Sequence, residues 1–244
     1  SVEFHEISDD SRTFQPGELF IPLRGENFDG HDYLTQAIKR GAAACLSEEM
    51  IGGLLVPVVK VKDTLKALGD LAAASRRQFS GPVIGITGTS GKTTCKEMLA
   101  SILTSLGPGL KSAGNYNNLI GVPLTLFELQ PEHQWAVVEM GMSARGEIAR
   151  LAEIARPNIG LITNIGAGHL ENFDGLSGVA RAKGELFISL PADGIALINA
   201  DDPQVSVLPV ANGVRRVFFG NNRDADVRAD KIVVQNGSVS FPLV

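Results

Sequence analysis

The sequence predicts an α/β chain: a small N-terminal α/β domain followed by a doubly wound, mostly parallel sheet. Three observations lead there. Short runs rich in Val, Ile and Leu alternate with longer segments whose apolar residues recur at helical spacing, the pattern of parallel strands joined by crossover helices. One run, Val83-Ile84-Gly85-Ile86-Thr87, leads directly into a glycine-rich loop and then a helical segment. The length, 244 residues, suits one or two cores at roughly 150 residues per domain.

In chain order, residues 18–23 read as a short strand and residues 25–30 as a polar turn. Residues 31–40 carry helical spacing (Tyr33, Leu34, Ala37, Ile38) and end at Gly41. Residues 42–46 and 55–61 read as buried strands. Asp63 caps a helix with Leu65, Leu68, Leu71 and Ala72 on one face, running to about Phe79. Ser80-Gly81-Pro82 is a turn and the expected boundary between domains 1–80 and 81–244. Beyond it, strands are expected at 83–87, 136–138, 159–163, 195–198 and 217–219. Helices are expected at 92–106, 147–155, 176–190 and, briefly, 202–210. The tail, 231–241, reads as a hairpin turning at Asn236-Gly237.

Composition narrows the function. Charged residues make up 20% and apolar ones 44%, an ordinary globular balance rather than a disordered one. Twenty-seven acidic residues against 22 basic give a net charge of −5, which argues against a general nucleic-acid binder. No apolar run approaches the roughly 18 residues of a membrane span, and no signal peptide is visible. Cys45 and Cys95 are too few for a disulfide framework or a zinc site, and read as reduced thiols of a cytoplasmic protein.

The strongest chemical signal is Gly88-Thr89-Ser90-Gly91-Lys92-Thr93-Thr94 between a strand and a helix. Glycines let backbone N–H groups turn inward, the helix N-terminus adds free donors, Lys92 adds a point charge, and the Thr93 hydroxyl suits Mg²⁺. The strict phosphate-loop pattern wants glycine where Ile86 stands, so this is a variant loop. Ligands of doubly wound sheets bind beyond the carboxyl ends of the strands. Those ends carry Glu139, Asn164 with His169, and Asn199 with Asp201 and Asp202. Each has a plainer reading: Glu139 or Asp202 as a cap, His169 as an exposed loop residue. Lys183, inside a helix, reads from its neighbours as a solvated lysine.

These motifs resemble the Mur ligase superfamily, and its MurF type most closely. The phosphate loop 87–94 matches that family's variant. So do Gly114-Asn115-Tyr116-Asn117-Asn118, Glu139-Met140-Gly141, the run from Asn164 to Leu170, and Ala180-Arg181-Ala182-Lys183-Gly184-Glu185. Asp10-Ser11-Arg12, residues 17–25 and Asp29-Gly30-His31 resemble its nucleotide-sugar domain.

The resemblance implies a UDP-sugar precursor domain at 1–80 and a central ATP-binding domain at 81–244. It implies ATP phosphates on Gly88, Thr89, Ser90, Gly91, Lys92, Thr93 and Thr94, with Asn199 contacting the nucleotide. It implies Mg²⁺ on Thr93, Glu139, His169 and a Lys183 carbamate, so that Lys92, Glu139, His169 and Lys183 are catalytic. Ser11 and Arg12 fall near the uridine diphosphate, and Asn115 and Asn118 near both substrates. The implied reaction activates the carboxylate of UDP-MurNAc-tripeptide as an acyl phosphate, which the amine of D-Ala-D-Ala attacks. A monomer is expected. Family members carry a third domain and about twice this length, so the chain is expected to be a fragment with little ligase turnover. MurE-type and folylpolyglutamate-type ligases, or a non-catalytic nucleotide-binding module, are the alternatives.

Overall fold

The computed structural model describes residues 3–25, 27–49, 52–168, 172–222, 224–235 and 238–244. The chain divides into two compact units between Ser75 and Arg76.

The first unit is a parallel four-stranded sheet in sequence order: β1 (Ile7–Ser8), β2 (Leu19–Phe20), β3 (Ala44–Ser47) and β4 (Val58–Lys60). A 3-10 turn (Gly30–Tyr33), capped by the Asp29 carboxylate, runs into α1 (Leu34–Lys39), and α2 (Thr64–Arg76) follows β4. Asp63 does cap α2, accepting from the Lys66 N–H at 2.8 Å. The core gathers Phe14, Phe20, Leu34, Ala37, Ala42 and Cys45, with Phe14 and Phe20 edge to face at 5.9 Å. Burial pushes the Cys45 thiol up to about 11, so it stays protonated.

Two expectations change here. The strand at 18–23 shortens to two residues, since Pro22 has no N–H to continue the ladder. The strand at 55–61 also shortens and is not buried: β4 closes the sheet with one neighbour, and Val59 and Leu55 are exposed. β1 was not anticipated, because two residues carry no period.

The second unit is a seven-stranded parallel sheet. Its strands are β5 (Val83–Thr87), β6 (Gly109–Lys111), β7 (Trp135–Glu139), β8 (Ile159–Ile162), β9 (Ile195–Asn199), β10 (Arg215–Gly220) and β11 (Val227–Arg228). The order is β11-β10-β9-β8-β5-β7-β6. Helices α3 (Lys92–Leu103), α4 (Gly121–Phe127), α5 (Glu147–Ala155) and α6 (Gly175–Ile188) connect them.

The two faces can be read along β5. Ile84 and Ile86 pack with Ala100 of α3 on one face. Gly85 points the other way, where a Cβ would press on Leu186 of α6. Gly160, its partner in β8, makes room for Leu186 and Leu190 in the same manner. Side chains alternate across a strand, so helices cover both faces and the sheet is doubly wound. From β5 the chain builds outward to β6 and β7, then returns to add β8 on β5's other flank. The crevice between the carboxyl ends of β5 and β8 is therefore the switch point at which such sheets bind ligands.

Other departures have local causes. α4 was missed because Gly121 and Pro123 sit in its first turn, where a proline's missing N–H costs nothing. The helix at 202–210 is a series of turns, since Pro203 and Pro209 leave too short a span. β6 and β11 were too short to show a period. The tail pairs β12 (Val233–Gln235) with β13 (Ser238–Ser240) antiparallel; its expected turn, Asn236-Gly237, lies outside the described residues. The division at Ser75 precedes the 80–82 turn. Arg76 is 6% exposed and donates to Ala155 O, Phe79 O and Arg156 O at 2.8, 2.7 and 3.1 Å, all in the second unit. No helix of the described residues is long and apolar enough to cross a membrane.

Candidate active site

The loop between β5 and α3 lies at the switch point, and the segment after β8 shapes it. Asn164 Oδ1 accepts from Ser90 N–H at 3.0 Å, and Asn164 Nδ2 donates to Ser90 O at 3.1 Å. Thr163 Oγ1 donates to Ser90 O at 2.7 Å, and Gly166 N–H donates to Thr89 Oγ1 at 2.8 Å. Gly88 has φ +150° and sits so close to Thr163 Oγ1 that a Cβ would collide with it. Gly91 has φ +79° and caps α3 with no side-chain acceptor and open space where its Cβ would be. The result is a helix N-terminus with free donors facing an open cradle, which suits an anion. Lys92 Nζ folds over the same loop and donates to Gly88 O at 2.9 Å.

Glu139, the last residue of β7, is 2% exposed and is the centre of a network. Its Oε2 accepts from Thr93 Oγ1 at 2.9 Å and its Oε1 from Asn117 Nδ2 at 2.9 Å. Lys96 Nζ lies 3.6 Å from Oε2. The pairing of Thr93 with Glu139, expected from the motifs, is thus present in the geometry. Asn117 and Lys96 were not anticipated. They lie 22 residues before Glu139 and one helical turn past Thr93, and nothing in local spacing links them to it.

Other expected residues are placed as follows. Lys183 is 4% exposed in α6, a correction to the solvated reading of its neighbours. Small residues explain it: Gly178, Ala180, Ala182 and Gly184 let α6 pack closely enough to bury a lysine. Its ammonium finds no hydrogen bond or ion pair among the described residues. Burial, and secondarily the charge of Lys92, pushes it down to about 8. His169 lies outside the described residues. Asn199 Nδ2 donates to Thr163 O at 2.8 Å and so joins the ends of β9 and β8. Asp202 caps the following turn and accepts from Ile165 N–H.

Asn118 spends its Oδ1 on the N–H groups of Ile120 and Gly121 at the start of α4, while Asn115 is exposed. In the first unit, Asp10 grips Arg12 through paired hydrogen bonds, which hold its carboxyl down to about 2. Arg40 clasps Ser11 O and Arg12 O at 2.6 and 2.8 Å. Ser11 and Arg12 therefore share one turn just past β1.

Among the described residues no three His, Cys, Asp or Glu side chains cluster as a metal cage. A hydroxyl and a carboxylate beside a phosphate cradle are nonetheless a fitting donor set for Mg²⁺, which takes few protein oxygens and completes its shell with phosphates and water.

Comparison with known proteins bears on the family and the fold. Residues 86–244 match the Mur ligase middle domain, and residues 3–76 match the Mur ligase family catalytic domain. The chain is 44% identical to the UDP-N-acetylmuramoyl-tripeptide–D-alanyl-D-alanine ligase of Escherichia coli (strain K12), over 99% of this chain and 54% of that protein. It resembles the crystal structure of MurF from Acinetobacter baumannii with a TM-score of 0.92 and 39% identity, covering 98% of this chain and 52% of that one. A MurF ligase from Thermotoga maritima, solved in complex with ADP, aligns with a TM-score of 0.89 and 30% identity, covering 98% and 55%. The chain thus spans about half the length of the relatives it matches. With more than half of its residues inside the middle-domain match, it belongs to the Mur ligase family.

Proposed function

We propose that the chain works in ATP-dependent amide-bond formation of the MurF kind, joining D-Ala-D-Ala to UDP-MurNAc-tripeptide in peptidoglycan synthesis. The observation that carries this reading is the pre-shaped loop at the open N-terminus of α3, with the Thr93–Glu139 pair beside it. Relatives at 44% identity bearing that name support the substrate assignment.

In this reading the first unit binds the UDP-sugar precursor, with Ser11 and Arg12 at its turn. The second binds ATP on residues 88–94, with Asn199 near the nucleotide. The chemical difficulty is that a carboxylate must approach the terminal phosphate, anion toward anion. Lys92 and the N–H groups of the α3 N-terminus bind the phosphates and offset that repulsion, most strongly where charge develops during transfer. Thr93 and Glu139 would hold Mg²⁺, with His169 and a carbamylated Lys183 near it; when bound, the ion supplies further charge neutralisation.

Lys183 suits carbamylation. A lysine pushed down to about 8 presents about a tenth of its amine uncharged at pH 7, and only the free amine adds CO₂, releasing one proton. The product is an anion where an ammonium would repel a metal. Asn118, spent on α4, serves as a scaffold in this account, and Asn117 is the asparagine of that loop that reaches Glu139.

The test is a thermal-shift comparison. UDP-MurNAc-tripeptide should raise the melting temperature more than UDP-MurNAc-dipeptide, and Mg²⁺–ADP should raise it independently. An equal or larger shift with the dipeptide would point to the MurE type instead.

A further inference from the structure

We infer that Lys96 is a positioning residue: its buried ammonium holds Glu139 and the loop 112–118 in one arrangement and thereby sets the Mg²⁺ affinity of the phosphate site. The inference rests on the reading of that site as one for Mg²⁺ and nucleotide.

Lys96 is 0% exposed in α3, and its Nζ donates to Gly114 O at 2.9 Å. It lies 3.6 Å from Glu139 Oε2 and 3.6 Å from Glu97 Oε1. Glu97 is itself exposed and paired with Lys111. A buried ammonium is costly unless acceptors surround it, and an apolar side chain would fill the same volume without that cost. What the lysine adds is a link between three elements.

Thr93 and Lys96 stand one turn apart on α3, so both reach the same carboxylate oxygen. The loop facing them is stitched to the end of β7. Ser112 Oγ accepts from Glu139 N–H at 3.0 Å, Gly141 N–H donates to Asn117 O at 2.7 Å, and Asn117 Nδ2 donates to Glu139 Oε1 at 2.9 Å. Lys96 grips this loop at Gly114 from the helix side. One carboxylate oxygen is held by α3 and the other by the loop, so Glu139 has one orientation open to it. Partners that orient a metal-binding carboxylate commonly carry about 10–100-fold in metal affinity.

The test uses Lys96→Met and Asn117→Ala, singly and together, in the 244-residue chain. A fluorescent ADP analogue is bound at fixed concentration, and the Mg²⁺ concentration giving half of full binding is measured, beside the metal-free affinity and the melting temperature. Each single variant should raise the half-saturating Mg²⁺ about tenfold and leave metal-free binding in place. The double variant should also stop near tenfold, because both act through one carboxylate.

An unmoved or lowered Mg²⁺ requirement overturns the inference, as does a double variant that multiplies to about a hundredfold. A loss of metal-free and Mg²⁺-dependent binding in equal measure shows a purely structural lysine and also overturns it. If Lys96→Met does not fold, Lys96→Gln, which keeps a donor and removes the charge, decides on the same criterion. Wild-type protein that binds no Mg²⁺–ADP refutes the functional reading and this inference with it; wild-type binding with unshifted variants refutes this inference only.

Discussion

Two of the cations that the second unit buries, one toward each end of its sheet, are treated in opposite ways. At the amino end, Arg76 is 6% exposed and its guanidinium is spent on three backbone carbonyls around the starts of β5 and β8. At the carboxyl end, Lys183 is 4% exposed and finds no such partner among the described residues. A buried charge whose donors are all satisfied by the fold is part of the fold. A buried charge left unsatisfied lowers stability, and it is kept where chemistry needs it. On the function proposed above, the amino end of this sheet serves stability and the carboxyl end a ligand.

The contrast can be broken most severely at the phosphate loop. Lys92→Ala should weaken Mg²⁺–ADP binding about 100-fold, about 3 kcal/mol, with the melting temperature of the free protein nearly unchanged. Isothermal titration beside a thermal melt separates the two effects. The opposite pattern is expected of Arg76→Met. Stranding three carbonyls should cost about 3 kcal/mol in urea unfolding, while nucleotide affinity of the folded protein stays within about twofold.

Lys183→Met sharpens the comparison because its sign is reversed. The folded lysine is pushed down to about 8 from 10.5, so below pH 8 the native state carries a charge that burial disfavours. The unfolded state binds more protons between those two values, and wild-type stability should therefore rise with pH across that window. Replacing the lysine should stabilise the chain by about 1–3 kcal/mol at pH 7, with the advantage fading above pH 8 and gone by about 10.5. Chemical denaturation at pH 7 and pH 10 reads this directly. The smallest effect belongs to Asn118→Ala, which removes the acceptor of the Ile120 and Gly121 N–H groups at the start of α4 and should cost about 1 kcal/mol without altering Mg²⁺–ADP affinity.

What the sequence made legible follows the same division. The loop 88–94 and the carboxylate of Glu139 could be read because the one follows a strand and the other ends one, and strand ends of a parallel sheet share one rim. The parallel, doubly wound architecture was legible because long apolar runs and helical periods alternate. Lys96 and Asn117 were not. Their tie to Glu139 spans 43 and 22 residues and exists only once α3 and the loop 112–118 face the end of β7. Lys183 was misread because its burial depends on glycines and alanines spaced around α6, a packing feature without a charge or hydropathy signature. The short strands β1, β6 and β11 escaped for want of a period, and α4 because Gly121 and Pro123 read as breakers.

Hydrogen exchange with and without Mg²⁺–ADP tests the central claim most directly, since it reports where the ligand sits. The account predicts slowed exchange of the amides at 88–94 and, only when Mg²⁺ is present, of the loop at 112–118, with no change near Arg76. Binding that leaves 88–94 unprotected, or that protects the amino end of the sheet instead, would contradict it.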